Sequence, residues 1–148
     1  MRAREESLAA INSLIARSKA YWNWPAAYLE RAIPMHQVSP AYLRANRCFE
    51  VLHPRGDLVA FYALVESDAR MVLDNLWVIP ELIGQGIGRW ACEHAIRLAR
   101  DVGREALWVL PEPPAEGFYR HLGFADTGER MPSRVPGGPV YSVYRLGL

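Results

Sequence analysis

The clearest chemical signature of this chain lies in residues 76–89, which read Leu-Trp-Val-Ile-Pro-Glu-Leu-Ile-Gly-Gln-Gly-Ile-Gly-Arg. An apolar run ends at a proline, and three glycines at alternate positions then precede a long helical pattern. Glycine has no Cβ, so its N–H can approach a phosphate oxygen closely. The first turn of a helix also has N–H groups without internal partners and a partial positive charge. The stretch therefore predicts an anion site for phosphate or pyrophosphate, the alternative being a tight turn whose glycines serve packing alone.

The spacing of the glycines disfavours two common nucleotide-binding motifs. A Walker A loop requires a lysine and a hydroxyl residue directly after its last glycine, whereas Arg89 and Trp90 follow Gly88 here. A dinucleotide-binding fold requires Gly-x-Gly-x-x-Gly, and its third glycine position is occupied by Arg89. A nucleotide-binding domain is therefore the weakest interpretation of the glycine stretch.

Two segments carry a resemblance to one known family. Residues 76–89 resemble the acyl-CoA-binding motif of the GNAT superfamily of N-acyltransferases. Residues 115–124, Ala-Glu-Gly-Phe-Tyr-Arg-His-Leu-Gly-Phe, resemble the second signature of that superfamily, a short helix ending in Phe-Tyr followed by Leu-Gly-Phe. Two motifs in the right order, about 30 residues apart, are far more specific than either alone. The resemblance covers roughly residues 50–146.

The resemblance implies acetyl-CoA as co-substrate and no metal. The backbone of two strand residues would pair with the pantetheine arm as an added strand does, provided that the next strand splays away. A loop would hold the pyrophosphate. The implied contacts are Trp77 and Val78 for the arm and Ile83, Gly84, Gln85, Gly86, Ile87, Gly88 and Arg89 for the phosphates.

Two positions depart from the family pattern. The superfamily usually has Gln or Arg where Ile83 stands, so one side-chain contact with phosphate is missing. It often has Asn where Glu112 stands, and a carboxylate there changes the local hydrogen bonding or repels an anionic ligand. Both departures keep open the alternative that the protein is a non-catalytic acyl-CoA sensor or regulatory module.

The expected chemistry is direct attack of an amine on the thioester. The departing thiolate needs a proton, and Tyr119 matches the family tyrosine that lies near the sulfur. A phenol with a reference pKa of about 10 stays protonated beside a thiol of about 8.5, so it can donate. The alternative is that Tyr119 only packs in the core.

The expected base is less well defined. An ammonium has no lone pair, so a base must generate the free amine. Asp74 lies on the strand that leads into the glycine stretch, where several family members place an acidic residue. The alternative for Asp74 is a solvated or hydrogen-bonded strand residue, and the four histidines, at positions 36, 53, 94 and 121, are weaker candidates.

The composition fits a globular protein of one domain. The chain has 148 residues, of which 51% are hydrophobic and 22% charged, and its net charge of +1 gives no basic excess for nucleic acid. No apolar run approaches the roughly 20 residues that span a bilayer. The N-terminus lacks the apolar core of a signal peptide, and the two cysteines, Cys48 and Cys92, have the character of buried apolar residues, so a cytoplasmic location is expected.

The order of patterns predicts a single α/β domain over residues 1–148. A helical part at 1–46 precedes a mixed, mostly antiparallel sheet with helices on both faces. A loop is expected at 129–138, near the active site. The expected strands are 48–53, 58–65, 70–79, 105–110, 123–128 and 139–146, and the two main helices after residue 46 are 86–102 and 115–122.

The sequence does not identify the acceptor or the quaternary structure. Small amines, amino acids, antibiotics, peptide N-termini and protein lysines all remain as acceptors. Three aromatic residues near the N-terminus, Trp22, Trp24 and Tyr28, have three interpretations: a wall of the acceptor pocket, core packing, or a homodimer contact.

Overall fold

The computed structural model describes all residues, 1–148, as five α-helices and six β-strands. One sheet contains every strand in the order β1-β2-β3-β4-β6-β5, and only β3 and β4 run parallel. The predicted mixed, mostly antiparallel α/β fold is confirmed. The helices are α1 (Leu8–Tyr21), α2 (Ala26–His36), α3 (Pro40–Ala45), α4 (Ile87–Asp101) and α5 (Glu116–His121), and the strands are β1 (Arg47–Leu52), β2 (Leu58–Ser67), β3 (Arg70–Val78), β4 (Ala106–Val109), β5 (Ala125–Pro132) and β6 (Val140–Gly147).

Strand β2 shows why helices cover both faces of the sheet. It is buried continuously from Val59 to Leu64, because its apolar residues point alternately to opposite faces. Phe61 packs with the core beneath α1 and α3, whereas Tyr62 packs with the core beneath α4 and α5. The chain therefore has two main cores, separated by the sheet. None of its helices combines the length and the apolar character needed to cross a membrane.

Helix α4 lies against the sheet through a stripe of small residues. Ala91, Ala95 and Ala99 are fully buried, and their short side chains let the helix axis approach the strands. The helix ends at Gly103, whose φ of +78° is the left-handed conformation common after a helix C-terminus. The segment between β3 and α4 is short, so the glycine stretch connects the two elements directly.

Strands β3 and β4 pair over only three residues and then separate. The pairing covers Met71–Leu73 with Leu107–Val109, although β3 continues to Val78. The cause lies on the other edge of β3, where a bulge at Asn75 shifts the register with β2. Asn75 has a φ of +57°, and such a bulge bends a strand away from its neighbour. The splay that the family resemblance implied is thus present.

The prediction of a loop at residues 129–138 is wrong in part. The segment 129–138 was expected to be irregular, but β5 extends through Pro132 and pairs with β6 there, so the loop spans only 133–139. Every residue of β5 is exposed, so the strand has no alternation of buried and exposed residues that a sequence pattern could reveal. A register shift between Asp126 and Arg130 also interrupts the regular pairing of β5 with β6.

Candidate active site

A cleft of about 1190 Å³ opens where β3 and β4 separate. Residues from both faces of the sheet line it, so the cleft joins the α4–α5 side to the α1–α2 side. We call these the CoA half and the acceptor half. The CoA half is lined by the glycine loop, Phe118 and Tyr119, and the acceptor half by Ser18, Trp22, His36, Asp74, Trp77, Arg134 and Tyr141.

The glycine loop presents a row of unpaired backbone donors. The first hydrogen bond of α4 runs from Trp90 N to Gly86 O at 3.0 Å, and no side chain caps the helix. Gly84 and Gly86 have φ values of +85° and +88°, conformations that other residues rarely adopt. Five N–H groups therefore have no protein acceptor, namely those of Gly84, Gly86, Ile87, Gly88 and Arg89. This is the arrangement of an anion site at a helix N-terminus.

The predicted cofactor-binding residues mostly meet in the cleft. Seven of the nine line it, namely Trp77, Val78, Ile83, Gly84, Gly86, Gly88 and Arg89. Gln85 and Ile87 do not line it, and the N–H of Gln85 donates to Leu82 O within the turn at 3.2 Å. Gly88 lies against the Phe118 ring, where an added Cβ would be 3.5 Å from Cζ.

The open edge of β3 offers backbone groups to a ligand. Ile79 N donates to Val59 O on β2 at 2.9 Å, and antiparallel strands alternate the direction of these bonds. The N–H and C=O of Trp77 therefore point to β2, whereas those of Val78 point into the gap. Ser18 Oγ on α1 donates to Val78 O at 2.7 Å. Val78 thus supplies the strand edge, and Trp77 lines the acceptor half with its indole.

Asp74 belongs to a hydrogen-bonded network at the bulge. Its carboxylate accepts from the Tyr42 hydroxyl and from Asn75 Nδ2, the latter at 3.2 Å. Asn75 Oδ1 accepts from Trp77 Nε1 at 3.0 Å, which ties the indole to the same network. Burial raises the pKa of Tyr42, so its phenol remains a neutral donor. Asp74 is half-buried, hydrogen-bonded and still part of the cleft lining.

Tyr119 lines the CoA half of the cleft next to Phe118. Its residue is 6% exposed, its ring packs edge-on against Phe118 and Phe124, and its hydroxyl makes no hydrogen bond with the protein. Burial raises the pKa of Tyr119 far above the ordinary value, so the phenol is protonated at all physiological pH values. A hydroxyl donor that lines the cleft and has no protein partner can serve a ligand there.

Glu112 has a partner that the sequence did not reveal. Lys19 Nζ donates to both carboxylate oxygens, at 2.8 and 2.9 Å, across 93 positions of the chain. The Lys19 side chain is fully buried, and its ammonium lies 4.7 and 5.1 Å from the ring centres of Trp24 and Tyr28. The negative charge at Glu112 is therefore matched, and Trp24 and Tyr28 pack around the lysine.

His36 lines the acceptor half at the end of α2. Its ring meets the Trp77 indole edge-on at 5.8 Å, and its buried Nε2 has no partner. Burial, together with the charges of Lys19 and Arg134, lowers the pKa of His36 to about 4, so the imidazole is neutral near pH 7. Of the other histidines, His94 instead shares a hydrogen bond of 2.7 Å with Tyr62. No group of three or more His, Cys, Asp or Glu side chains is placed to hold a metal ion.

Comparison with known proteins identifies the family. The model of the acetyltransferase (GNAT) family matches residues 11–124. This chain belongs to the acetyltransferase (GNAT) family. The family predicted from the two motifs is confirmed, and the match begins within α1, well before the first of the two motifs.

Two proteins of similar sequence and one solved structure illustrate what this chain resembles. The streptothricin acetyltransferase of Streptomyces lavendulae is 35% identical over 88 residues, which are 56% of this chain and 47% of that protein. The peptidyl-lysine N-acetyltransferase YjaB of Salmonella typhimurium is 38% identical over 56 residues, 38% of this chain and 37% of that protein. The matches thus span less than half of either relative. The PaiA N-acetyltransferase of Thermoplasma acidophilum, solved with coenzyme A, shares the fold with a TM-score of 0.81 at 13% identity, covering 100% of this chain and 97% of the other.

Removing the charge of Glu112 should destabilise the protein. Glu112→Gln leaves the fully buried Lys19 ammonium without a counter-ion, and we expect the free energy of unfolding to fall by roughly 3 kcal/mol. The double variant Lys19→Met, Glu112→Gln should recover most of that loss because it leaves no unpaired charge. Urea denaturation measures both changes.

The matched control is Glu66→Gln, which breaks the exposed Arg104–Glu66 pair and should cost less than about 1 kcal/mol. If Glu112→Gln costs no more than Glu66→Gln, the buried pair does not hold Lys19 in the folded protein.

Proposed function

We propose that this protein is an acetyl-CoA-dependent N-acetyltransferase in which an amine attacks the thioester directly. The observation that carries the proposal is the gap between β3 and β4, which joins a row of free N–H groups to the unpartnered hydroxyl of Tyr119. An extended ligand with a pyrophosphate at one end and a thioester at the other fits this arrangement.

The CoA half would hold the ligand mainly through the backbone. The pyrophosphate would accept hydrogen bonds from the N–H groups of the glycine loop, helped by the dipole of α4. The amides of the pantetheine arm would pair with Val78 at the open edge of β3, as in strand addition. Arg89 is 63% exposed and forms an i,i+4 ion pair with Glu93 at 2.9 Å, so it could exchange that partner for a phosphate.

The transfer itself needs two proton movements. The amine nitrogen forms a bond to the thioester carbon while the carbon–sulfur bond breaks. Asp74, directly or through a water molecule, takes the proton that the nitrogen loses as it attacks. Tyr119 donates its hydroxyl proton, or a hydrogen bond, to the departing thiolate. A carboxylate is a weak base toward a free ammonium, so Asp74 acts most effectively once the new bond has made the nitrogen acidic.

A non-catalytic acyl-CoA sensor is the second candidate. Its support came from Ile83 and Glu112, and the ion pair with Lys19 answers the objection that Glu112 repels an anionic ligand. Ile83 still provides no polar side chain to the phosphates.

The named activities of the two relatives make an antibiotic amine and a peptidyl lysine reasonable acceptor classes. A cytoplasmic location and a homodimer stay predictions.

Placing a charge at Gly86 should abolish binding of CoA. Gly86→Asp puts a carboxylate beside the free N–H groups, and we expect the increase in melting temperature caused by CoA to disappear. Gly86→Asn is the matched control, since Asn has the same shape, no charge, and tolerates a positive φ better than most residues. It should keep most of the increase. A full increase with the Asp variant would place the phosphates elsewhere.

Removing the hydroxyl of Tyr119 should slow turnover while sparing binding. In Tyr119→Phe the ring keeps its packing, and no hydrogen bond with the protein is lost. We expect kcat to fall by roughly 10²-fold or more, with little change in the affinity for acetyl-CoA or in stability. Thiol release from acetyl-CoA that depends on an added amine measures the reaction.

Tyr62→Phe is the control, because Tyr62 is buried outside the cleft and bonds His94. It should lose stability but not turnover. Near-normal turnover of Tyr119→Phe would make that tyrosine a packing residue. A wild-type protein that binds acetyl-CoA but releases no thiol with any amine would instead favour the sensor.

A further inference from the structure

The charged residues of the cleft leave one positive and one negative group unmatched. Four residues that line the cleft carry a full charge, namely Asp74, Arg89, Glu112 and Arg134. Arg89 pairs with Glu93, and Glu112 pairs with Lys19. Asp74 has only the neutral partners Tyr42 and Asn75, and Arg134 has no ion pair or hydrogen bond with its side chain. The two unmatched charges both belong to the acceptor half.

Arg134 is presented by a loop that is anchored on both sides. Val135 is buried against Tyr28 and Ala32, and its N–H donates to Ser133 Oγ at 3.0 Å. On the far side, Arg31 Nε and Nη2 both donate to Pro136 O, at 3.2 and 3.1 Å. The backbone of Arg134 is therefore held in place, while the residue itself is exposed at the cleft.

His36 and Trp77 form the wall between the two charges. Arg134 lies near enough to His36 for its charge to help lower the pKa of that imidazole. The His36 ring contacts Trp77, and Trp77 Nε1 donates to Asn75, the neighbour of Asp74. The wall is uncharged and mostly apolar, with the free Nε2 of His36 as its one unsatisfied polar atom. A series of neighbouring groups thus leads from Arg134, through the His36–Trp77 wall and Asn75, to Asp74.

We propose that the acceptor is a primary amine that also carries an anionic group, a carboxylate or a phosphate, separated from the amine by a short apolar spacer. The amine lies at Asp74, the spacer lies along Trp77 and His36, and the anion binds Arg134. A guanidinium forms two parallel hydrogen bonds with either anion, which suits both sources of the charge. The inference rests on the proposed acetyl transfer and names its substrate class.

A panel of matched amines tests the substrate class. It contains ω-amino acids of increasing chain length, the primary amide of each, and ω-aminoalkyl phosphonates of the same lengths. A lysine peptide with a neighbouring glutamate, paired with its glutamine version, tests whether the amine belongs to a peptide. Turnover is read as thiol release from acetyl-CoA, and binding as the melting temperature of the protein with CoA and each amine.

The anionic member of a pair should react better at one preferred length, with kcat/KM about tenfold above that of its amide. Arg134→Gln should remove this preference by slowing the anionic amine and leaving the amide unchanged. The matched control is Arg55→Gln, because Arg55 lies on an exposed turn outside the cleft, and it should keep the preference. The pair of compounds with the largest preference shows whether the anion is a carboxylate or a phosphate-like group, and whether the amine belongs to a free small molecule or to a peptide.

Two results separate this inference from the proposed function. If amides react as well as the anionic amines, or if Arg134→Gln keeps the preference, acetyl transfer stands and the anionic acceptor is overturned. If anionic amines stabilise the CoA complex through Arg134 but no thiol is released, the binding site stands and acetyl transfer is overturned. If no amine reacts and none stabilises the complex more than its amide, the anionic acceptor is also overturned.

Discussion

The separation of β3 from β4 is the constraint on which the rest of this structure depends. A sheet that opens leaves backbone N–H and C=O groups on two edges without partners, and buried backbone groups rarely remain so. Ser18 satisfies the Val78 carbonyl, but the remaining groups of this edge are left for water or a ligand. The glycine loop, Tyr119 and Asp74 all border the opening, so the same defect in the sheet creates both the binding surface and the place of reaction.

The bulge that produces this opening is held by several contacts at once. Asn75 adopts a φ of +57°, which is unfavourable for most residues but tolerated by asparagine. Its side chain then bonds three neighbours, Tyr42, Asp74 and Trp77. The strained backbone and the polar network support each other, and both a cleft carboxylate and the indole of the acceptor half are positioned as a result.

Local signals in the sequence predicted half of the site. The glycine loop, α4 and the Phe-Tyr motif each lie within a short segment, and their chemistry depends on spacing along the chain. The roles of Lys19 and Arg134 were not predicted, because both depend on residues far away in the sequence. Lys19 depends on its contact with Glu112, and Arg134 depends on the contacts of the 133–139 loop with α2. Periodicity records which face of an element is apolar, but not which distant element covers it.

The pairing of Lys19 with Glu112 also constrains how this sequence can change over evolution. If position 112 changed to asparagine, a fully buried ammonium would remain close to two aromatic rings with no counter-ion. If position 19 changed first, the carboxylate of Glu112 would remain in the cleft lining without its partner. Each single change would therefore leave an unpaired charge and a less stable protein, whereas the double change would not, so the effects of the two positions are not independent. Replacing the two residues one at a time would pass through a destabilised protein, which ties the identity of each position to that of the other.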